Sequence, residues 1–392
     1  MPQMLTGSQL DEALRIMPEY SASIRKASEA DRLVALQDIY SVYIPTDMSR
    51  EIYSKLYLAL LRSMHKKQSL MAIRQFSENQ KLMKGKEFSS IIGGSDSFTI
   101  IGDSGIGKSA TVSRVIDMIS SKHVIDLPNC MRIIPCVQIQ TPADCSVKGL
   151  LFEILRKVDE ILGTRYHASA TRVGATTDML IGSVSTVALN HIGLLVVDEI
   201  QNVVNSKNGS IVVGMLAQLI NNSGVSICMV GTPKSALFFG QEMMLARRSL
   251  GLTYGPFSCD DHFKEFCEAL FQYQYVQKQT SLNTDILFWL YNHSLGNASI
   301  IVSLLHDAQE IAILDGSEEL NITSLEKAYQ SRLTMLHDYL YQEPTHHQKP
   351  AAKKEIATTT STEQSVITDT VTRAKRLQKD IVDELTLQGI CH

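Results

Sequence analysis

The chain has 392 residues, room for one large domain or two to three ordinary ones, and 44% hydrophobic with 20% charged residues is an ordinary globular balance. A formal net charge of −4 gives no electrostatic pointer to a nucleic-acid partner. Seven cysteines show no C-x-x-C pair and no zinc-spaced histidine; Cys136 and Cys228 lie in apolar runs, as core thiols in a reducing cytoplasm do. No basic-then-apolar leader opens the chain and no run is long enough to span a bilayer, so a soluble, intracellular protein without a membrane partner is expected.

Residues from Ser8 to about Arg74 read as helical. Ser8-Gln9-Leu10-Asp11 has the form of a capping box, and Pro18 stops the helix it opens. A second helix is expected over Asp31 to Val42, before Pro45. A third starts near Ser49, with Ile52, Leu56, Leu60 and Met64 on one face and a Lys66-Lys67 end that suits the helix dipole. Gly93-Gly94 breaks the pattern.

The stretch that follows organises the chain. A β-branched and aromatic run, Ser97 to Ile101, leads into Gly102-Asp103-Ser104-Gly105-Ile106-Gly107-Lys108-Ser109, and then into Ala110 and the periodic Val112, Val115, Ile116 and Ile119. Strand, G-x-x-x-x-G-K-S, helix is the order of a phosphate-binding loop. Its glycines let successive N–H groups converge on a polyphosphate at a helix N-terminus. Lys108 adds a point charge near the β- and γ-phosphates, and Ser109 is placed to hold Mg²⁺. A second strand, Gly193 to Val197, is apolar throughout, as in a parallel sheet covered on both faces, and ends in Asp198-Glu199. Asp198 would complete the metal site and Glu199 would polarise the attacking water. These elements predict binding and hydrolysis of a nucleoside triphosphate.

Between and after them the chain alternates. A strand over Arg132–Ile139 is followed by an amphipathic helix from Val147 to about Leu162, a glycine-containing insertion over Gly163–Ala175 and a helix from Thr176 or Thr177. Beyond the acidic strand come a helix through Val212, Met215, Leu216 and Ile220 and a strand over Val225–Val230 ending in Gly231-Thr232-Pro233. The alternation predicts right-handed βαβ units and a parallel sheet with helices on both faces. Thr232 stands where ring-forming ATPases place a first sensor, or simply ends a strand in a turn. Arg247-Arg248 is either a dipole-complementing pair at a helix end or the source of an arginine that reaches a neighbouring subunit's γ-phosphate.

From Asp261 to about Tyr341 three or four helices form a small lid around Phe263, Phe266, Leu270, Trp289, Leu304 and Leu325. The polar stretch beyond is too poor in apolar residues to fold and reads as a linker. Ala374, Leu377, Ile381 and Leu385 then recover one apolar stripe, a docking segment for a partner. The expected division is a helical extension over 1–92, a nucleotide-binding α/β domain over 93–258, the lid over 259–341, a linker over 342–370 and a docking helix over 371–392.

With these motifs placed, the chain resembles the AAA+ ATPases. Met17 to Arg25, Gln138 to Leu150, Val197 to Asn202 and Val230 to Pro233 are together similar to the TnsC/TniB type of transposition regulator, over roughly residues 15 to 340. The resemblance implies a P-loop AAA+ fold, α/β with a parallel five-stranded sheet, N-terminal helical extension and C-terminal helical lid. It also implies that ATP and Mg²⁺ are the cofactors, and that a homo-oligomer, ring or filament, forms on duplex DNA. A target-selection protein or RNA-guided complex and the transposase, engaged through the C-terminal tail, would be the partners. Lys148 and Arg172 are the candidate phosphate-backbone contacts, or solvated surface cations. One departure stands out: the lid motif Ser294-Leu295-Gly296-Asn297-Ala298-Ser299 lacks the arginine of a second sensor, which suits slow, assembly-stimulated turnover. A helicase loader or replication initiator would share every ATPase residue named, and a signalling NTPase switch is a further alternative; no winged-helix domain or repeat array is visible for either.

Overall fold

Strand β1, Phe98–Gly102, is buried along its whole length, as are β4, Ile192–Asp198, and β5, Ser226–Gly231. The computed structural model describes residues 1–68, 97–120, 123–127, 131–142, 146–172, 174, 176–204, 209–235 and 250–333, all within one unit, Met1–Tyr341. With β2, Ile125–Leu127, β3, Met131–Gln140, and β6, Leu250–Tyr254, the strands form one sheet in the order β2-β3-β4-β5-β1-β6. Every pair is parallel except β2 with β3. The expected five-stranded parallel sheet is therefore present, extended by one short antiparallel edge strand. The β1 strand lies between β5 and β6, so the phosphate-binding turn at its end emerges inside the sheet rather than at its rim.

Alternation along the strands splits the core. Ile134, Val137, Leu195, Val197, Ile227 and Met229 face one helical layer, made of α5, Val147–Leu162, α7, Thr177–His191, and α9, Gly209–Ser223. Helix α5 is bounded by its residues: Ser146 accepts from Gly149 N–H at 3.1 Å, and Gly163 ends it at φ +70°. The insertion after it contains a short helix, α6, Tyr166–Arg172. Ile133, Leu194, Val196, Cys228 and Val230 face the other layer, where α4, Lys108–Ile119, packs with α1, Gly7–Leu14, and α3, Asp47–Gln68. Tyr43 and Thr111 hydroxyls hydrogen-bond at 2.8 Å, and Arg114 donates to the Ala13 carbonyl at 2.6 Å, fastening the N-terminal segment to α4.

The same segment also enters a separate lid core. Leu36, Ile39 and Ile44 are buried among Phe263, Leu304 and Leu305. The lid comprises α10, Asp261–Phe271, α11, Thr284–Ser294, α12, Ala298–Leu314, and α13, Ile322–Ala328. Each is N-capped by an Asp or Asn side chain (Asp260, Asn283, Asn297, Asn321), which fixes where it starts. Arg32, on α2, Glu29–Ala35, clasps the lid through a two-pronged pair with Glu318 at 2.6 Å and a bond to the Tyr275 carbonyl at 3.1 Å. The pairing raises the Arg32 pKa and lowers that of Glu318.

Three local readings are corrected. The N-cap of α1 is Thr6, with no side-chain cap bond, so Ser8 lies inside the helix and the capping box does not form. The expected helix over Asp31 to Val42 is α2 followed by a tighter 3₁₀ turn, Leu36–Ser41. Lys67 is buried and donates to the carbonyls of Ala188 and Leu189, so it caps α7 rather than its own helix, and burial pushes its pKa down to about 7. No helix among the described residues is long and apolar enough to cross a membrane.

Candidate active site

The turn from β1 into α4 is set by Gly105 and Gly107 at φ +83° and +94°, a region that costs an L side chain but not glycine. Lys108 is buried, and its Nζ donates to the carbonyls of Gly102 and Asp103 at 2.8 and 2.7 Å. Burial lowers its pKa, opposed by the charges of Asp198, Glu199 and Asp103. Ser104, Gly105, Gly107, Lys108, Ser109 and Ala110 line a cleft of about 180 Å³, closed on the far side by Asp198, Glu199, Gln201, Gly231 and Thr232. Of the expected site positions, 104, 105, 107–110, 198–199 and 232 are thus brought together around one small cavity, while Gly102, Asp103 and Ile106 do not line it.

Each residue after β4 has a task. Asp198 is buried, and its Oδ1 accepts from Glu199 N–H at 2.8 Å. Glu199 sits at φ +57°, a conformation costing a non-glycine residue roughly 1–3 kcal/mol, and it turns the chain so that both acids face the cleft. Ile200 is buried and continues the ladder by donating to the Val230 carbonyl at 3.0 Å. Gln201, which opens the single turn α8, Gln201–Val204, donates to the Glu199 carboxylate and accepts from Thr232 N–H at 3.3 Å. Asn202 donates to the Thr141 carbonyl at 3.1 Å, tying the turn to the end of β3. The Thr232 hydroxyl oxygen is buried without a partner in the described structure, on the wall of the cleft.

The lid reaches the phosphate-binding turn without an arginine. Asn297 Nδ2 donates to the Ser104 carbonyl at 2.8 Å, and Ser299 N–H donates to the Gly105 carbonyl at 2.9 Å. A Cβ on Gly105 would stand 2.6 Å from Asn297 Oδ1, so that glycine admits the lid as well as permitting the turn. Beside this contact lies a larger cleft of about 290 Å³, lined by Ile44, Met48, Ile106, Phe257, Phe266 and Ala298 among others. Ile106 belongs to the phosphate-binding turn itself.

The donor set suits a metal-bound triphosphate. A hydroxyl (Ser109) and a buried carboxylate (Asp198) share one cavity with a lysine, and the buried hydroxyl of the cavity-lining Thr232 lacks a partner. Lys148, in the first turn of α5, and Arg172, at the end of α6, are exposed and do not line this cavity. Arg247 and Arg248 lie outside the described residues, as do 342–370 and 371–392. The sequence reading missed Gln201, Asn202, Asn297 and the apolar cleft. A signal for Gln201 and Asn202 was present, since both lie within three residues of Glu199.

A family model described as "Bacterial TniB protein" matches residues 89–250, from just before β1 to the first residue of β6. Over that span the chain is similar to the TniB family. The matched region holds every residue of the small cleft, but of the larger cleft's residues named above only Ile106. No curated protein matches the chain. Among solved structures, it is similar to the Aeropyrum pernix ORC2 protein in ADPNP–ADP complexes, at 16% identity and TM-score 0.47, covering 75% of this chain and 70% of that one. The A. pernix ORC1 protein in complex with DNA is similar at 13% identity and TM-score 0.46, over 66% of this chain; the chain spans 64% of that protein's length. Drosophila ORC bound to DNA gives 16% identity and TM-score 0.40, over 84% of this chain and 70% of that one. At such scores the likeness carries nothing about function.

Proposed function

We propose that this protein is an ATPase that binds ATP with Mg²⁺, assembles as a homo-oligomer on duplex DNA, and in that form recruits and activates a transposase. The observation that carries the catalytic part is the cavity in which Lys108, Ser109, Asp198, Glu199 and Thr232 converge. In this reading the loop's N–H groups and Lys108 hold the phosphates, and the base lies in the apolar cleft beside Ile106. Ser109 and Asp198 hold the metal, which offsets phosphate charge when bound. Glu199 accepts a proton from the attacking water, and the Thr232 hydroxyl donates to the γ-phosphate. One of Arg247 or Arg248 completes a neighbour's site, which makes turnover depend on assembly. Lys148 and Arg172 track the DNA backbone. The TniB family match supports the transposition reading, and the bacterial cytoplasm would be its setting. The tail over 371–392 would dock the transposase, and a protein or RNA-guided complex would choose the target.

The test is phosphate release by the full chain with and without duplex DNA. The reading expects slow turnover that DNA stimulates. Hydrolysis indifferent to DNA would remove the link to assembly, and no hydrolysis under either condition would remove the enzyme.

A further inference from the structure

We propose that Gln201 is a positioning residue that couples the Glu199 carboxylate to the end of β5, so that engagement of Thr232 by a γ-phosphate sets the base. The inference rests on reading Glu199 as the base. Its ground is one amide with two different neighbours: Nε2 donates to Glu199 Oε2, while Oε1 accepts from Thr232 N–H at 3.3 Å. Only one orientation of the amide satisfies both. Turned over, its oxygen would face the carboxylate and its N–H would face the Thr232 N–H, and both contacts would repel. The side chain therefore acts as a rigid link about one amide long between the acid and the sensor strand.

The surroundings are shaped for that link. A Cβ on Gly231 would stand 3.1 Å from Gln201 Oε1 and 2.6 Å from the Ile200 side chain, so the strand end is bare where the amide rests. Glu199 reaches this position through a left-handed backbone at φ +57°, held by Asp198 Oδ1 on its own N–H. Three residues beyond the amide's acceptor contact, on the same turn of chain, Ser235 donates to the Thr232 carbonyl. The Thr232 hydroxyl is buried and unpartnered on the cleft wall, so an oxygen arriving there pulls on a residue whose N–H is already bonded to Gln201.

Two consequences follow from the chemistry of the donor. A hydrogen bond from an amide to a carboxylate holds the acid's position relative to the strand that carries Thr232. The bond also fixes the carboxylate's direction, and hydrogen bonds to charged groups are strong enough to be worth about tenfold or more in rate when lost from a transition state.

The experiment is steady-state ATP hydrolysis with the full chain on duplex DNA, comparing the parent with Gln201→Met, Gln201→Glu, Thr232→Ala, Gln201→Met/Thr232→Ala and Glu199→Gln. Thermal melting of each variant reports its folding. Methionine keeps the length and removes both bonds; glutamate keeps the length and an acceptor but sets a second carboxylate against Glu199. The account expects kcat to fall about tenfold or more in both, with KM for ATP moving by about twofold or less. The double variant should lose less than the product of its single losses, because the link is already cut. A parental kcat in Gln201→Met, or losses that simply multiply, would overturn the inference. If Glu199→Gln hydrolyses ATP like the parent, the base itself is misassigned and the inference falls with it. If Glu199→Gln is inactive and Gln201→Met is parental, only the inference falls.

Discussion

The two walls of the nucleotide cleft are built in different ways. The sheet wall draws its groups from three strand ends, β1, β4 and β5, where short runs of sequence carry all the chemistry: Gly102 to Ala110, Asp198-Glu199 and Gly231-Thr232. The opposite wall is assembled from Ile44 to Met48, Phe257 and the start of α12, segments up to some 250 residues apart, and it touches the phosphate-binding turn through an asparagine side chain and a backbone N–H. The sheet wall is charged and suited to act on phosphate. The lid wall pairs apolar side chains with the acids Asp47, Asp260 and Glu265, and what it reads is the conformation of the turn, since both of its bonds end on backbone carbonyls. Losses of rate should therefore come from the sheet wall, and losses of coupling between nucleotide and lid from the other.

The largest effect expected is on turnover. Glu199→Gln keeps the shape and removes the proton acceptor, so phosphate release should fall by about 10²-fold or more while an ATP analogue still binds. Unchanged release would leave Glu199 a structural acid. Next is binding at the same wall: Lys108→Ala removes the buried cation facing the cleft and should weaken ATP-analogue affinity on the order of a hundredfold in a calorimetric titration. Parental affinity would refute the phosphate-binding role of the turn.

A third expectation concerns what holds the lid in place. Removing one partner of a mostly buried pair is costly, so Arg32→Met should lower stability by about 3 kcal/mol at neutral pH in denaturant titration. The sign with pH is fixed by the partner. The folded pKa of Glu318 is depressed, with the Arg32 bond as its first cause, so the pair's stabilisation is full above the ordinary glutamate value and fades as pH falls through the lower folded one. The gap between parent and variant should accordingly narrow below about pH 4. A gap constant from pH 8 to pH 3 would show that the lost stability is packing alone.

The smallest effect sharpens the comparison itself. Asn297→Ala removes the bond to the Ser104 carbonyl and the side-chain cap of α12, together worth about 1–2 kcal/mol. ATP-analogue affinity should drop by about tenfold, with kcat at saturating ATP close to parental. Loss of kcat without loss of affinity would make the lid a catalytic wall and erase the distinction drawn here.

What could be read from the sequence follows the same divide. A turn of this kind and an acidic strand end need particular residues at adjacent positions, so Gly102 to Ser109 and Asp198-Glu199 announced the fold and where the small cleft lies. Helix α5 announced its ends as well, through Ser146 and Gly163. The lid wall left no such mark. A periodic apolar face shows that a helix is buried but not against what, so Leu36 and Ile39 gave no sign of entering the lid core, nor Ile52 and Leu56 of covering the sheet. Strand β6 was missed because Leu-Gly-Leu-Thr-Tyr is short and interrupted by glycine, and β2 has only three residues. Lys67 looked like an end-of-helix cation and instead serves the helix beside it, a choice made by tertiary packing.

The central claim is that nucleotide in this cleft drives assembly on DNA. The most direct measurement is electron microscopy of the full chain with duplex DNA, in the presence and absence of a non-hydrolysable ATP analogue. The account predicts ordered rings or filaments on the DNA only when the analogue is present. Isolated, analogue-bound subunits beside bare DNA, or the same assemblies without nucleotide, would contradict it.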